Sequence, residues 1–309
     1  MTRLLTRSDL GSLLEPSACL AALRAGFLAV GAAAAIPGQR VRTDLPFDGT
    51  ATALLPGLLP GIEAYTVKVN SKFPGARPAL KGVLCLHSGA DGELLALLDS
   101  ATVTAWRTGL AAALGTDTLA RAGEDAVVGV IGAGAQAELM VRGLGALRSY
   151  GQLVVHDADF ERAGEFAVRH GGRVLGSAKE IASAADIVLL STWSRTPLLS
   201  LADTRPGQHL TSLGADEPGK RELAPDLLDE ALVVVDDRQL VEAVGVLAAT
   251  DIDTTLGDVL RGDHPGRVDA GARSVYAPVG MPWQDLALAW LAYERAERDG
   301  VGRRVDLLG

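Results

Sequence analysis

The sequence predicts an α/β protein in which a doubly wound parallel sheet is joined to a mostly antiparallel α+β region. Three observations predict it. The stretch from Ala126 to Asp157 reads as strand, glycine turn, helix, strand and acid. Beyond it, short apolar runs alternate with helical patterns, the order that builds parallel sheets. Ahead of it, segments such as Tyr65-Thr66-Val67-Lys68-Val69 alternate apolar and polar residues, the period of a half-buried strand.

Each part of the central stretch has a physical job. The apolar run Ala126 to Ile131 is a buried strand, and Gly132-Ala133-Gly134-Ala135-Gln136-Ala137 follows it directly. Gly132 makes the tight turn, Gly134 leaves room for a pyrophosphate against the backbone, and Ala137 lets the next helix lie close on the sheet. That helix runs through Glu138 to Tyr150, and its N-terminus offers unpaired N–H groups and the positive end of a dipole to phosphates. Leu153-Val154-Val155-His156 is the second strand, closing on Asp157 about 25 residues after Gly132. Asp157 can accept hydrogen bonds from a ribose diol and would repel a 2′-phosphate, so NAD is the expected cofactor and NADP the alternative.

The chain has 309 residues, enough for one large or two ordinary domains with real cores. Hydrophobic residues make up 48% and charged residues 22%, the balance of a soluble globular protein. The formal charge is −9 with no acidic or basic block, which argues against nucleic acid or a membrane surface as partner. The start, Met1 to Asp9, lacks the long apolar core of a signal peptide, and no stretch is apolar enough to span a bilayer. Cys19 and Cys85 lack metal-ligand spacing and read as buried thiols in a reducing compartment, so the cytoplasm and no metal are expected.

Pro16 to Gly31 reads as a helix with Leu20, Leu23, Phe27 and Val30 on one face. Arg40 to Pro46, Ala51 to Leu55 and Tyr65 to Val69 read as strands. Gly82 to His87 and Leu94 to Leu98 flank Ser88-Gly89-Ala90-Asp91-Gly92 as a hairpin. Thr102 to Ala120 is the next helix, and Arg107 falls inside its apolar stripe of Val103, Trp106, Leu110 and Leu114. Such an arginine either snorkels outward or meets an anion. Arg121 to Asp125 reads as a linker. After Asp157 come helices at Ala163 to His170 and Lys179 to Ala184, with strands at Arg173 to Leu175, Ile187 to Leu190, His209 to Leu213 and Leu232 to Val235. Helices over Val241 to Ala248 and Thr254 to Arg261, a strand Ser274 to Val279 and a long helix Pro282 to Arg298 follow. The expected domains are 1–120 with 281–309, and 121–280. Ligands of such a sheet lie at the carboxyl ends of its strands, here Gly132 to Gln136, Asp157, Ser191-Thr192-Trp193 and Gly214 to Asp216.

Several stretches, taken in order, resemble the ornithine cyclodeaminase/mu-crystallin family. They are Val41-Arg42-Thr43-Asp44-Leu45-Pro46, Val67-Lys68-Val69 with Phe73-Pro74-Gly75, and Leu97-Leu98-Asp99 followed by Thr104-Ala105-Trp106-Arg107-Thr108. The glycine turn, Gly214-Ala215-Asp216-Glu217-Pro218-Gly219-Lys220, and Val279-Gly280 with Asp285 complete the set. The resemblance covers essentially the whole chain. It implies a homodimer, a Rossmann-type nucleotide domain, and a substrate domain built from the N-terminal region and the last helix. It implies that Arg42, Lys68 and Arg107 hold a substrate carboxylate and that Asp216 stands near the reacting amine. Thr108, Gly132, Gly134, Ala135, Gln136, Asp157, Ser191, Thr192, Trp193 and Gly214 would lie along the cofactor. Asp216 with Pro218-Gly219-Lys220 resembles the cyclodeaminase and alanine dehydrogenase members more than the mu-crystallins. Three residues depart from the pattern. Lys81 replaces a neutral polar residue and would add positive charge to the substrate site, Ala53 stands where ornithine cyclodeaminases carry a glutamate, and Trp193 would narrow or cap the pocket.

These residue types suit hydride transfer at an α-carbon bearing nitrogen. Guanidinium groups bind carboxylates through paired hydrogen bonds. Lys68 adds charge and, with a depressed pKa, moves protons. Asp216 either holds an ammonium and takes its proton or caps the turn that follows it. Arg42 and Lys68 also read as solvated strand charges, and His87 as structural. The expected activity is NAD-dependent cyclodeamination of a basic amino acid, of ornithine or lysine type, to a cyclic imino acid with loss of ammonia. An alanine-type dehydrogenase or a ketimine or cyclic-imine reductase would use the same residues, and a mu-crystallin-like nicotinamide binder only the cofactor half. A small amino or imino acid is the expected partner.

Overall fold

The computed structural model describes residues 1–30, 41–45, 51–73, 80–121, 123–214, 219–244, 247 and 252–307. The chain opens with β1 (Thr2–Leu5), α1 (Arg7–Leu13), α2 (Pro16–Ala29), β2 (Val41–Asp44), β3 (Ala51–Gly57), β4 (Ala64–Lys72), β5 (Leu80–Ser88), β6 (Leu94–Asp99) and α3 (Ser100–Leu119). It continues with β7 (Val127–Ile131), α4 (Ala135–Leu147), β8 (Gln152–His156), α5 (Phe160–His170), β9 (Arg173–Val174), α6 (Ala178–Ala184), β10 (Ile187–Leu190) and β11 (His209–Ser212). Then come α7 (Pro225–Asp229), β12 (Ala231–Val235), α8 (Arg238–Val244), β13 (Thr254–Thr255), α9 (Leu256–Arg261), β14 (Arg273–Tyr276), α10 (Pro282–Asp299) and β15 (Arg303–Val305).

The architecture is the α/β class read from the sequence. Two compact units are present, Met1–Arg107 with Met281–Gly309, and Thr108–Gly280. The division falls inside α3, because that helix continues past Arg107 without a break.

In the first unit a seven-stranded sheet runs β15-β1-β6-β5-β4-β3-β2, mostly antiparallel, with β1 parallel to β6. The hairpin turn at Ser88 to Gly92 closes as expected, with Gly92 N donating to Ser88 O at 3.1 Å. Strands β1 and β15 have too few residues for their alternation to register in the sequence, and they pair with each other at the sheet edge. Helix α1, seven residues long, is likewise too short to show a helical period, although Thr6 and Asp9 cap it reciprocally. Helix α10 packs on α2 and on β3 and β4. Gly26 permits that approach: a Cβ there would lie 2.2 Å from the Trp283 ring, which Phe27 meets edge-on at 4.9 Å.

In the second unit an eight-stranded parallel sheet runs β13-β12-β14-β11-β10-β7-β8-β9. The chain travels from β7 out through β8 to β9 and then returns to β10 on the other side of β7. The strand order therefore reverses between β7 and β10, the position at which such sheets bind ligands. Apolar clusters cover both faces, which is why strands such as Ile187-Val188-Leu189-Leu190 are apolar throughout. The helix expected from Thr254 begins two residues later, because Thr254 and Thr255 pair with β12 and Thr255 then caps α9. The helix expected from Val241 begins at Arg238, with Asp237 Oδ1 accepting from Leu240 N at 2.7 Å.

His209 opens β11 fully buried, with its ring nitrogens 2.9 Å from Ser274 Oγ and 3.0 Å from Thr211 Oγ1. Burial, helped by the nearby Arg267 and Arg148, pushes its pKa down from 6.5 to about 3. The unfolded chain binds this proton near pH 6.5, whereas the native chain refuses it until about 3. The stability this residue contributes is therefore whole above pH 6.5 and drains as pH falls toward 3. Replacing His209 by Asn should flatten the acid side of the stability–pH curve by up to about one proton. Urea unfolding across that window measures it, and an unchanged slope contradicts the assignment.

Candidate active site

In the first unit, the phase of β4 decides the site. Ala64, Thr66, Lys68 and Asn70 are buried, while Val69 between them is exposed. Lys68 is thus carried inward, and only 2% of its surface is exposed. Helix α10 supplies the counter-charge: Lys68 Nζ donates to Asp285 Oδ2 at 2.5 Å and to Thr104 Oγ1 at 3.4 Å. Arg107, carried by the apolar stripe of α3, meets the same carboxylate, with Nε 3.4 Å from Asp285 Oδ1. It also donates from Nη1 to Gln284 Oε1 at 3.4 Å. Of the two fates open to an arginine in that stripe, this one meets an anion.

Among the described residues two cations face one carboxylate. Arg107 Nε and Gln284 Nε2 are buried donors with no hydrogen-bond partner, and Asp285 Oδ1 is a buried acceptor without one. A bound carboxylate would add negative charge and give the two donors acceptors.

Backbone register sets Arg42 opposite Ala53, Ala53 opposite Asn70 and Asn70 opposite Gly82. Arg42 thus lies in the row that crosses the sheet beside Lys68, and its side chain lies outside the described residues. Lys81 pairs with Ser71, one residue out of step with that row, and is exposed. Strand phase separates it from the Lys68 cluster, against the expectation that it adds charge there.

In the second unit, Gly132 has φ +93°, as the tight turn requires, and a Cβ on it would lie 2.8 Å from Ser191 O. Ser191 Oγ donates to Gly132 O at 2.9 Å and so braces the turn. Gly134 caps α4 without a side-chain hydrogen bond, and a Cβ there would meet nothing within 4 Å. Gly134 and Ala135 are exposed, and Gln136 Oε1 is buried without a partner. Open backbone N–H groups at a helix start beside uncrowded glycine fit a pyrophosphate. Thr108 is half-buried on α3, and its neighbour Gly109 lets α3 lie close on Leu139 of α4.

Thr192 and Gly214 are held by a residue that sequence reasoning missed. Buried Glu222 accepts from Thr192 N and Oγ1 at 2.5 and 2.7 Å, and from Ser212 Oγ and Gly214 N at 2.7 Å each. It ties the carboxyl ends of β10 and β11 together. Burial raises its carboxyl above the usual range against the pull of those four donors. No motif marks it; the one signal in the chain is Gly214, where a Cβ would lie 2.4 Å from Glu222 Cδ. Trp193 is exposed, and Lys220 Nζ lies 4.0 Å from its ring centroid, a cation–π contact. Asp157 is buried and already paired with Arg162, with Arg162 Nη2 donating to Oδ1 at 2.5 Å. Asp216, the expected catalytic acid, lies outside the described residues.

The fold has counterparts among known proteins. A profile of the ornithine cyclodeaminase/mu-crystallin family matches residues 2–300. Alanine dehydrogenase of Archaeoglobus fulgidus is 28% identical over 98% of this chain and 98% of its own length. The structure of Thermococcus litoralis Δ1-pyrroline-2-carboxylate reductase in complex with NADH and L-proline superposes with TM-score 0.90 at 27% identity, covering 98% of this chain and 100% of that one. An archaeal alanine dehydrogenase dimer with bound NAD gives TM-score 0.88 at 26% identity, covering 99% of each chain. The chain belongs to the ornithine cyclodeaminase/mu-crystallin family, whose enzymes are NAD(P)-dependent and act on amino and imino acids.

Replacing Asp285 by Asn keeps the shape and leaves Lys68 and Arg107 facing each other unneutralised. Stability should fall by about 3–5 kcal/mol, the cost of stranding buried charge. Urea denaturation measures it, and a loss of under about 1 kcal/mol would place the pair in solvent-like surroundings.

Proposed function

We propose that this chain is an NAD-dependent oxidoreductase that reduces, or in reverse forms, the carbon–nitrogen double bond of a small neutral α-imino acid. The observation that carries this reading is the buried Lys68–Asp285–Arg107 cluster, which among the described residues sets two cations against one carboxylate and leaves two donors, Arg107 Nε and Gln284 Nε2, without a hydrogen-bond partner. It suits one substrate carboxylate. It does not suit the second ammonium of ornithine or lysine, because the one acid it holds among the described residues is ion-paired with both cations and Ala53 stands in the neighbouring row without a carboxylate. Relatives that are named alanine dehydrogenase or pyrroline-2-carboxylate reductase, at 28% and 29% identity, support net hydride transfer over redox-neutral cyclodeamination.

The nicotinamide, when bound, supplies or receives the hydride. Gly132, Gly134, Ala135 and Gln136 would hold the pyrophosphate of the dinucleotide, and Ser191, Thr192, Trp193, Gly214 and Thr108 would line the rest of it. Arg107 and Lys68 fix the substrate carboxylate, joined by Arg42. Lys68 Nζ, already engaged with Asp285 Oδ2, delivers a proton to the imine nitrogen as the α-carbon is reduced. Asp216 holds the resulting amine by accepting its N–H. The assembly is a homodimer, as in the archaeal alanine dehydrogenase structure.

A substrate panel tests this. Cyclic imino acids, and pyruvate with ammonia, are offered with NADH, and ornithine, lysine, alanine and proline with NAD. NADH consumption by an imino acid is expected, and Lys68→Ala should cut kcat/KM by at least about a hundredfold while NADH binding persists. Ornithine or lysine converted to a cyclic product with ammonia and no net NADH would restore cyclodeamination. No turnover despite NADH binding would mean a carrier.

A further inference from the structure

The acid after the second strand of a dinucleotide fold discriminates by charge and by lone pairs: it accepts the ribose diol and repels a 2′-phosphate. In this chain that acid has none to offer. Asp157 Oδ1 accepts from Asp159 N at 2.8 Å and Arg162 Nη2 at 2.5 Å. Its Oδ2 accepts from Ala133 N at 2.7 Å and Arg162 Nε at 3.0 Å. A carboxylate presents about four acceptor positions, and all of them are filled. Burial alone would raise this carboxyl, but Arg162 and the two backbone N–H groups outweigh it and hold the group ionised below the usual carboxylate range.

Arg162 is placed by the start of α5. Asp159 caps the helix by accepting Arg162 N at 3.1 Å, which roots the arginine one turn beyond the strand end. The side chain is 40% exposed, with one edge on Asp157 and Nη1 3.7 Å from Asp159 Oδ2. With Asp159 counted, Arg162 halves the local negative charge. It also keeps guanidinium N–H groups unspent on Asp157, and these suit a phosphate. A ribose diol must break Arg162 contacts to reach Asp157, whereas a 2′-phosphate can use the arginine where it stands.

We propose that Arg162 sets the cofactor selectivity of this chain: by saturating Asp157 it lets the site take a 2′-phosphorylated dinucleotide, NADP(H), alongside NAD(H). The inference rests on the dinucleotide-dependent function proposed above and concerns only which dinucleotide is accepted.

Isothermal titration of NADH, NADPH and adenosine 2′-monophosphate into wild type, Arg162→Ala and Arg162→Lys tests it, with circular dichroism as the folding control. Wild type should bind NADH and NADPH with Kd values within about tenfold of each other. Arg162→Ala should weaken NADPH and adenosine 2′-monophosphate by at least about tenfold and leave NADH unchanged or tighter. Arg162→Lys should fall between, keeping charge but losing the fork. A wild type that binds NADH and refuses NADPH, or an NADPH-to-NADH ratio that Arg162→Ala does not move, overturns the inference and leaves the proposed function standing. Folded wild type that binds neither dinucleotide overturns both.

Discussion

One buried carboxylate, Asp285, sits between Lys68 and Arg107, and the first unit's chemistry depends on that contact. Charges cost several kcal/mol each to bury and persist only when paired. Here two cations share one acid among the described residues. The phase of β4 turns Lys68 inward, the apolar stripe of α3 carries Arg107 inward, and the buried side of α10 brings one acid to meet both. That excess of positive charge, with Arg107 Nε and Gln284 Nε2 unpartnered beside an equally unpartnered Asp285 Oδ1, suits an anion. A substrate carboxylate fits there, and a second cation does not.

The second unit uses acids differently. Glu222 spends its carboxylate on structure, drawing Thr192, Ser212 and Gly214 together so that two strand ends keep their spacing at the ligand-binding edge. Asp157 spends its carboxylate on Ala133 of the glycine turn, on the start of α5 and on Arg162. The first of these bonds locks the turn to the end of β8. The arginine changes what an otherwise familiar fingerprint selects for.

The parts of this organisation that were legible in the sequence are the local ones. The glycine turn, the apolar strands and the alternation of β4 follow from periods of two or from an uninterrupted apolar run, and a reader can see them in a few residues. Arg107 was legible as an anomaly, because an arginine in an apolar stripe demands an explanation, but its partner is remote. Lys68 and Asp285 are 217 positions apart, and Asp285, which marks the resemblance, reads in its own context as an acid in the first turn of a helix, where an acid suits the dipole, with nothing local to pair it with Lys68. Glu222 was invisible for the same reason: its four donors come from strand ends, not from neighbours in a motif. Lys81 drew notice as a charge where the resemblance leads one to expect a neutral polar residue, and only the β4–β5 register shows that it is out of step with the row beside Lys68. Arg162 was overlooked because Asp157 matched the fingerprint by itself, and the pairing depends on how α5 is capped.

The central claim is that the Lys68–Asp285–Arg107 cluster is a carboxylate receptor for an α-imino acid. A crystal structure with NADH and pyrrole-2-carboxylate, a planar and unreactive stand-in for a cyclic imino acid, tests it most directly. The account predicts the inhibitor's carboxylate within hydrogen-bond distance of both Lys68 Nζ and the Arg107 guanidinium, with the ring nitrogen on the Lys68 side, where that ammonium reaches it. A carboxylate bound elsewhere, with Lys68 and Arg107 satisfied by Asp285 alone, would contradict it.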